Sequence, residues 1–342
     1  MTRRPTIKDV AVLAGVHHTT VSLALRNHRS IPETTRARIR AAAEKLHYRA
    51  DPVLASLMSY RRGVQPQQRQ PVVAWVTNFP LRAQWRRTRV FVEFYEAAAE
   101  RAEQLGYRLE EFWLREGGMS AARVNQILRT RNITAVMLAP QPAAETELED
   151  LGWRDMSAVT LGYSLVRPRL HLVSNHQFAS MIQLMQCLQA LGYRRIGLAL
   201  PSGLDRRVHH GWLGGYLAEQ HSLPAASRLA PWVFAEFSSS QLRTWLKRAR
   251  PDVVISPTER VWNEMPRLGY RVPDDIGMAH PSVSALHDGR SGIDEISGAI
   301  GAAAMDLLSG LWQRNQRGIP EDPHRVLIEG HWVRGSTVRD LT

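Results

Sequence analysis

The sequence TIKDVAVLAGVHHTTVSLALRN, residues 6–27, predicts two short helices joined by a tight turn. Thr6 and Asp9 have the spacing of a capping box, in which a hydroxyl and a carboxylate three residues later cap the first turn of a helix. Apolar residues then recur at helical spacing, at Val10, Leu13 and Ala14. Gly15 follows, and glycine readily adopts the left-handed conformation that such a turn needs.

Two further helices are expected after this turn. The second begins near His17 or His18, and the third begins near Pro32, a residue that suits a first helical turn. Their predicted inner faces are Val21, Ala24, Leu25, Ile39, Ala42, Ala43 and Leu46. Three short helices with one glycine turn indicate a helix-turn-helix, whose second helix enters the major groove of DNA by its N-terminal end.

Residues in and just after that second helix divide into two groups by the part of the DNA that each is expected to contact. The N-terminal positions face base edges, and here these are His18 and Thr19. Phosphate contacts fix the register without reading sequence, and we assign them to Thr20, Ser22 and Arg29. The competing interpretation is a three-helix bundle that serves protein contact.

The distribution of charge favours the DNA interpretation. Residues 1–64 hold 12 lysines and arginines against 4 aspartates and glutamates, a net charge of +8. The remaining 278 residues carry only +4 of the formal +12 of the chain. A basic head on a nearly neutral body is typical of nucleic-acid binding, so the predicted partner is a double-stranded DNA operator.

About the first 58 positions resemble the LacI/GalR family of bacterial transcription regulators, through TIKDVAVLAGV, TTVSLAL and IPETTRARIRAAAEKLHYRAD. The sequence departs from the family's pattern at Leu23, where Arg is frequent, at Arg26, where Asn is frequent, and at His17, where a Ser would cap the helix. Leucine cannot make the bidentate guanine contact of arginine. We therefore expect base reading to fall on His18 and Thr19, and the operator to differ from those of Arg-bearing relatives.

The resemblance also implies a hinge helix at residues 50–60, within YRADPVLASLMSYRRG. Leu57 is then the wedge that enters a base step in the minor groove and kinks the duplex; the alternative is that Leu57 packs only on its dimer mate. Ala50 replaces the family's usual Pro, and Met58 replaces a frequent basic residue. Residues 61–71 read as a polar linker. The full predicted DNA-contacting set is Thr6, His17, His18, Thr19, Thr20, Ser22, Leu23, Arg29, Tyr48 and Leu57.

From residue 72 onward, short apolar strands alternate with amphipathic helices in two successive series, which is typical of parallel sheets in two lobes. The expected fold class is therefore an all-α helix-turn-helix headpiece at 1–49 plus an α/β two-lobed periplasmic-binding-protein-like core with parallel sheets at 72–342. We expect lobes at roughly 72–172 and 173–290, with the C-terminal segment crossing between them.

Several classes of function lack support in the sequence. It holds no phosphate loop, GxSxG, HExxH or strand-linked GxGxxG motif, and its 13 histidines are scattered, so we expect no enzyme activity, metal or cofactor. The single Cys187 excludes a disulfide framework within the chain. No signal-like or membrane-spanning apolar run is found, and AIGAAAMDLLSGLW is broken by Asp306, so a cytoplasmic protein is expected.

Effector contacts are expected just after the strands, because ligands of such sheets bind at the carboxyl ends of the strands. The predicted set is Asn78, Phe79, Trp85, Gln141, Tyr163, Asn175, Arg207, Trp212, Thr258 and Ser282. The two tryptophans are offered as flat walls, although core packing is the simpler role. Where sugar-binding family members carry GFDD this chain has AHPS, so Ser282 replaces an acid, and Arg207 is out of register with the family's usual clamp.

Taken together, these features predict a homodimeric, sequence-specific transcription regulator, a repressor if it follows the family's usual mode. Its effector would be a small molecule in the interlobe cleft, a sugar or sugar derivative or another compound. Two alternatives stay open: a solute-binding receptor with an incidental basic N-terminus, and an enzyme with a DNA-binding appendage.

Overall fold

The structure, a computed structural model, describes residues 7–25, 31–46, 70–117, 119–283 and 289–342. Contacts divide the chain into two compact units, residues 1–69 and residues 70–342. We call the first unit the headpiece and the second unit the core. The predicted hinge and most of the predicted linker lie outside the described residues.

The headpiece contains three helices, α1 (Ile7–Ala14), α2 (His18–Leu25) and α3 (Glu33–Lys45). Gly15 has a φ of 61° at the turn between α1 and α2, as predicted from its position. Val21 and Ile39 are fully buried where the three helices meet. Leu13, by contrast, is 45% exposed, and Ala11 is buried in its place.

The first lobe of the core is built on a six-stranded sheet in which every pairing is parallel. Its spatial order is β13-β7-β5-β3-β1-β2. The strands are β1 (Val72–Thr77), β2 (Arg108–Trp113), β3 (Ala135–Leu138), β5 (Ser157–Leu161), β7 (His171–Asn175) and β13 (Arg325–Ile328). A separate two-stranded sheet pairs β4 (Thr146–Glu147) with β6 (Leu165–Arg167).

Helices cover both faces of this first sheet. On one face lie α4 (Arg89–Gln104) and α11 (Ser297–Gln313), and on the other lies α5 (Ala121–Thr130). α4 and α11 approach each other closely, because a Cβ added at Gly301 would stand 2.2 Å from the carbonyl oxygen of Phe94. The sequence AIGAAAMDLLSGLW is thus part of a core helix, as predicted.

The second lobe has its own six-stranded sheet, in the order β14-β12-β11-β10-β8-β9. Its strands are β8 (Ile196–Pro201), β9 (Trp232–Phe234), β10 (Val253–Ile255), β11 (Gly277–Val283), β12 (Ser291–Asp294) and β14 (His331–Val333). The pairing of β12 with β14 is antiparallel, an exception to the parallel pattern predicted. The helices are α6 (Gln177–Ala190), α7 (Ser202–Arg207), α8 (Gly211–Ser222), α9 (Ser239–Ala249) and α10 (Glu259–Arg267).

The chain passes between the lobes at three places in this arrangement: from β7 to α6, from β12 to α11, and from β13 to β14. β7 ends at Asn175 and pairs entirely within the first sheet, so the first lobe extends beyond residue 172. This α/β core and the helical headpiece confirm the predicted fold class.

Candidate functional site

The exposed N-terminal end of α2 is the candidate nucleic-acid surface of the headpiece. The backbone carbonyl of His17 accepts hydrogen bonds from the N–H groups of Thr20 and Val21, at 2.9 and 3.2 Å, and so opens the helix. The side chains of His17 and His18 are exposed, with ring centroids 4.1 Å apart. The end of α2 therefore presents two imidazoles, and α2 carries no acidic side chain in its first turn.

The other predicted headpiece contacts have different outcomes. Thr20 is partly exposed on α2, whereas Leu23 packs partly against the headpiece core and offers less surface to a ligand. Four predicted contacts lie outside the described residues, as do the side chains of two further positions on α2. These are Thr6, Arg29, Tyr48 and Leu57, and Thr19 and Ser22, respectively.

In the core, a polar network joins the two lobes through Glu295, which follows β12. Asn175, at the end of β7, donates from Nδ2 to Glu295 Oε2 at 2.9 Å. Ser282, near the end of β11, donates from Oγ to the same oxygen at 2.7 Å. One carboxyl thus holds side chains from the ends of a first-lobe strand and a second-lobe strand, and we call these three residues the Glu295 network.

The environment of Glu295 favours its neutral form. The residue is 5% exposed, and burial raises its pKa from the ordinary 4.5 to about 7. The hydrogen bonds from Ser282 and Ser297 act in the opposite direction, while the charges of Glu93 and Asp294 raise the pKa further. The pair of predicted residues, Asn175 and Ser282, is therefore brought together by an acid that the sequence analysis did not single out.

A second set of contacts between the lobes comes from the loop that joins α7 to α8. The ring of His209 stacks on that of Tyr163, with centroids 5.5 Å apart and planes 9° apart. Arg207 donates from Nη1 to the carbonyl of Pro142 at 3.3 Å and lies 5.5 Å from the ring centroid of Phe91. Tyr163, Pro142 and Phe91 belong to the first lobe, so this loop reaches across the crevice.

The conformation of that loop is fixed by a buried acid. Asp205 is 2% exposed, and its Oδ2 lies 2.6 Å from Nδ1 of His210. The other oxygen of Asp205 accepts from the backbone N–H of Leu213 at 3.3 Å. His209 and His210 both have positive φ, 55° and 59°, which is uncommon outside glycine. Asp205 thus holds the loop where Arg207 and His209 meet the first lobe.

Gln141 is another predicted effector contact, and it follows β3 of the first sheet. It is 1% exposed, its backbone N–H donates to Ser164 Oγ at 2.8 Å, and its Nε2 donates to the carbonyl of Ala139 at 2.7 Å. Its Oε1 has no hydrogen-bond partner in the described part of the chain. Gln141 immediately precedes Pro142, whose carbonyl accepts the hydrogen bond from Arg207. Gln141 therefore lies beside the α7–α8 loop.

The remaining predicted effector contacts have structural roles. Trp85 is fully buried, packs at tilted angles against Trp75 and Tyr95, and donates from Nε1 to Glu111 at 3.2 Å, so it presents no open face to a ligand. Trp212 and Phe79 are each 7% exposed and pack in the cores of their lobes, so they offer almost no wall either.

Two polar positions are likewise used locally. Thr258 caps α10, accepting a hydrogen bond from the backbone N–H of Arg260 at 3.4 Å. Asn78 accepts from Nε of Arg115 at 3.1 Å. The predicted positions that meet at the crevice are therefore Gln141, Tyr163, Asn175, Arg207 and Ser282, and the prediction missed His209 and Glu295.

Over the described ranges, no group of three His, Cys, Asp or Glu side chains is placed to hold a metal ion. No helix in the same part of the chain combines the length and apolar character that a bilayer crossing requires.

The chain thus combines an N-terminal helix-turn-helix, a motif typical of DNA-binding proteins, with a two-lobed core built on largely parallel sheets. Residues 6–51 match the family described as bacterial regulatory proteins, lacI family. Over 52 residues the chain is 50% identical to the HTH-type transcriptional repressor PurR of Pectobacterium carotovorum and to that of Pectobacterium atrosepticum. This match spans 15% of the chain and only 15% of the length of each of these relatives.

Solved structures match almost the whole chain at low sequence identity. The lac repressor dimer bound to operator and the anti-inducer ONPF has a TM-score of 0.56 and 16% identity, over 98% of this chain and 100% of that one. The complex of the regulator CelR with cellobiose has a TM-score of 0.54 and 19% identity, over 98% and 100%. The glucose-bound LacI-family regulator CcpA of Weissella paramesenteroides has a TM-score of 0.53 and 17% identity, over 79% of this chain and 99% of that one.

Residues 6–51 thus match the model of the lacI family, and the chain shares its fold with these solved regulators.

Proposed function

We propose that this protein is a non-enzymatic, sequence-specific DNA-binding transcription regulator of the cytoplasm, and that it acts as a repressor. The observation that carries the proposal is the lacI-family headpiece, with the exposed imidazoles of His17 and His18 at the end of α2. A charge of +8 over residues 1–64 supplies the attraction to phosphates. His18 and Thr19 read bases, while Thr20, Ser22 and Arg29 contact the backbone.

The organisation of the chain in this proposal follows from its sequence. Within the headpiece, residues 1–49 form the helix-turn-helix part and 50–60 a hinge helix. Residues 61–71 form a linker, and residues 72–342 of the core bind the effector and dimerise. Two copies bind two half-sites, since operators read by such dimers mirror the two-fold symmetry of the protein. Leu57 from each hinge enters the minor groove and bends the duplex.

The crevice between the lobes is the proposed effector site. The Glu295 network supports this assignment, because a ligand that replaces its hydrogen bonds changes what holds the lobes together. CelR and the CcpA relative were solved with cellobiose and glucose. We propose a small, hydroxylated effector for this chain as well. Effector and DNA must then alter each other's affinity by one common factor.

The test is a gel-shift assay with the full-length protein and DNA from upstream of its own gene. We expect specific retention, with an affinity that decreases steeply with salt, by a log–log slope of about −0.9 for each phosphate contacted. His18→Ala should weaken specific binding by about 1–3 kcal/mol, whereas binding to unrelated DNA should change little. The matched control is His221→Ala, an exposed histidine of α8 in the core.

Two results would contradict the proposal. The first is an absence of DNA binding, or binding that does not depend on salt. The second is an equal loss of specific binding in the His18 and His221 variants, because the loss would then not be specific to a residue of the headpiece.

A further inference from the structure

Arg207 is a partly buried cation that lacks an acidic partner in the part of the chain that the structure describes. Its hydrogen bond goes to a neutral acceptor, the carbonyl of Pro142, and its guanidinium faces the ring of Phe91. Burial lowers its pKa below the ordinary value, and no neighbouring charge contributes to that shift. A guanidinium withdrawn from water without an opposite charge is costly to the folded state.

Three acids on or beside the elements that meet at the crevice already have other partners. Asp205, two residues earlier, contacts His210 and the backbone of Leu213. Glu93, on the helix that carries Phe91, pairs with Arg89 at 2.9 Å. Glu295 accepts from Asn175 and Ser282. Within the described ranges, none of these acids compensates the charge of Arg207.

Further hydrogen-bond donors lie around Tyr163, where the α7–α8 loop meets the first lobe. The centroid of its ring lies 5.5 Å from that of the His209 imidazole and 5.6 Å from the guanidinium carbon of Arg325. Within the described ranges, the contact that Arg325 makes here is with the face of this ring, and no ion pair of Arg325 or hydrogen bond of the Tyr163 hydroxyl is found. Burial raises the pKa of Tyr163, so the hydroxyl stays protonated and can donate.

We infer that the crevice binds a small molecule that carries an oxyanion, a carboxylate or a phosphate monoester, with Arg207 as its principal ligand. The guanidinium presents a planar fork that matches either oxyanion with two parallel hydrogen bonds. Neutral hydroxyl groups satisfy donors but leave the charge uncompensated. This inference rests on the proposed effector site and narrows its ligand from hydroxylated compounds in general to acids and phosphate esters.

The test uses inorganic phosphate as the probe and the full-length protein in thermal unfolding, with sodium chloride at the same ionic strength as the reference. Phosphate stabilises many proteins through exclusion from their surfaces, and it also binds basic headpieces, so the measured quantity is a difference between variants. The variants are Arg207→Gln, Arg207→Lys and the control Arg206→Gln, which removes the same charge from an exposed neighbouring position.

We expect phosphate to raise the Tm of the wild type and of Arg206→Gln by about 2–4 °C more than that of Arg207→Gln. Arg207→Lys should retain part of the difference, since it keeps the charge but loses the fork. An equal rise in all four proteins, or no rise in the wild type, overturns the inference. If Arg207→Gln does not fold, the comparison of Arg207→Lys with the wild type decides the question.

Gel shifts with the same preparations, in buffer without phosphate, separate this inference from the proposed function. A wild type that binds its upstream DNA but shows no Arg207-dependent response to phosphate refutes only the anionic class of ligand. A wild type that responds to phosphate through Arg207 but does not bind DNA refutes the regulator and leaves the anion site standing.

Discussion

Replacing Glu295 by glutamine should remove a large part of the pH dependence of core stability. Burial raises the pKa of this carboxyl from 4.5 to about 7. Between these values the folded protein retains a proton that the unfolded chain has released. The free energy of unfolding therefore decreases as the pH rises through this window, and the stability present below pH 4.5 is lost by the time the pH passes 7.

The expected change in the free energy of unfolding follows from the size of the pKa shift. Each pKa unit corresponds to about 1.4 kcal/mol, so the wild type should lose about 2–3 kcal/mol between pH 5 and pH 8 through this one group. Glu295→Gln keeps an acceptor for Asn175 and Ser282 but carries no titrating proton. Relative to the wild type, the variant should gain that same 2–3 kcal/mol as the pH is raised from 5 to 8.

Urea unfolding followed by tryptophan fluorescence measures this difference in the full-length protein. All ten tryptophans lie between residues 75 and 332, so the signal reports on the core and not on the headpiece. Other titrating groups cancel, because the quantity is the variant minus the wild type at each pH. The control is Glu321→Gln, a change at an exposed glutamate.

The result that refutes this reasoning is a difference between Glu295→Gln and the wild type that stays constant from pH 5 to pH 8. A pH-dependent difference of the same size in Glu321→Gln would refute it equally, because the effect would then not belong to the buried carboxyl.

Three other substitutions test separate parts of the structure. Gly301→Val should destabilise the core by about 3 kcal/mol or more in urea unfolding, because the added Cβ would stand 2.2 Å from the carbonyl oxygen of Phe94; Gly298→Ala, whose Cβ would find its nearest neighbour at 3.7 Å, should be tolerated. Tyr216→Phe should cost about 1 kcal/mol by the same assay, because the buried hydroxyl is within hydrogen-bond distance of two backbone carbonyls, at 3.0 and 2.9 Å. Leu57→Ala should weaken DNA binding and reduce DNA bending in gel shifts of circularly permuted fragments, with an unchanged oligomeric state in sedimentation; unchanged affinity and bending would exclude the wedge.

The parts of the fold that the sequence predicted are those set by local periodicity. The glycine turn and the three helices of the headpiece follow from the spacing of short apolar side chains, and the alternation of strands and helices in the core follows from the same kind of pattern. The exposure of Leu13 shows where this reasoning weakens, because two adjacent faces of an eight-residue helix both offer apolar residues and tertiary packing selects one.

The site was less predictable because its contacts join distant positions. Trp85 follows a strand, which suggested a ligand wall, but Trp75 and Tyr95 enclose it with ring centroids 5.8 and 5.4 Å away. No pattern in the local sequence predicts these neighbours. His209 was missed for a similar reason, since its partner, Tyr163, lies 46 positions earlier in the chain and in the other lobe.

Glu295 illustrates how a passage between lobes becomes a point of control. Its partners lie 120 and 13 positions away, and one of them belongs to each lobe. It stands two residues before Ser297, where the helix that returns the chain to the first lobe begins. A ligand that takes over the hydrogen bonds of Asn175 or Ser282 would leave a buried acid unsatisfied, and the lobes would have to rearrange to compensate. Under the proposed function, Glu295→Gln should therefore alter the effector's influence on DNA affinity more than DNA affinity itself, and gel shifts with and without the effector would measure both.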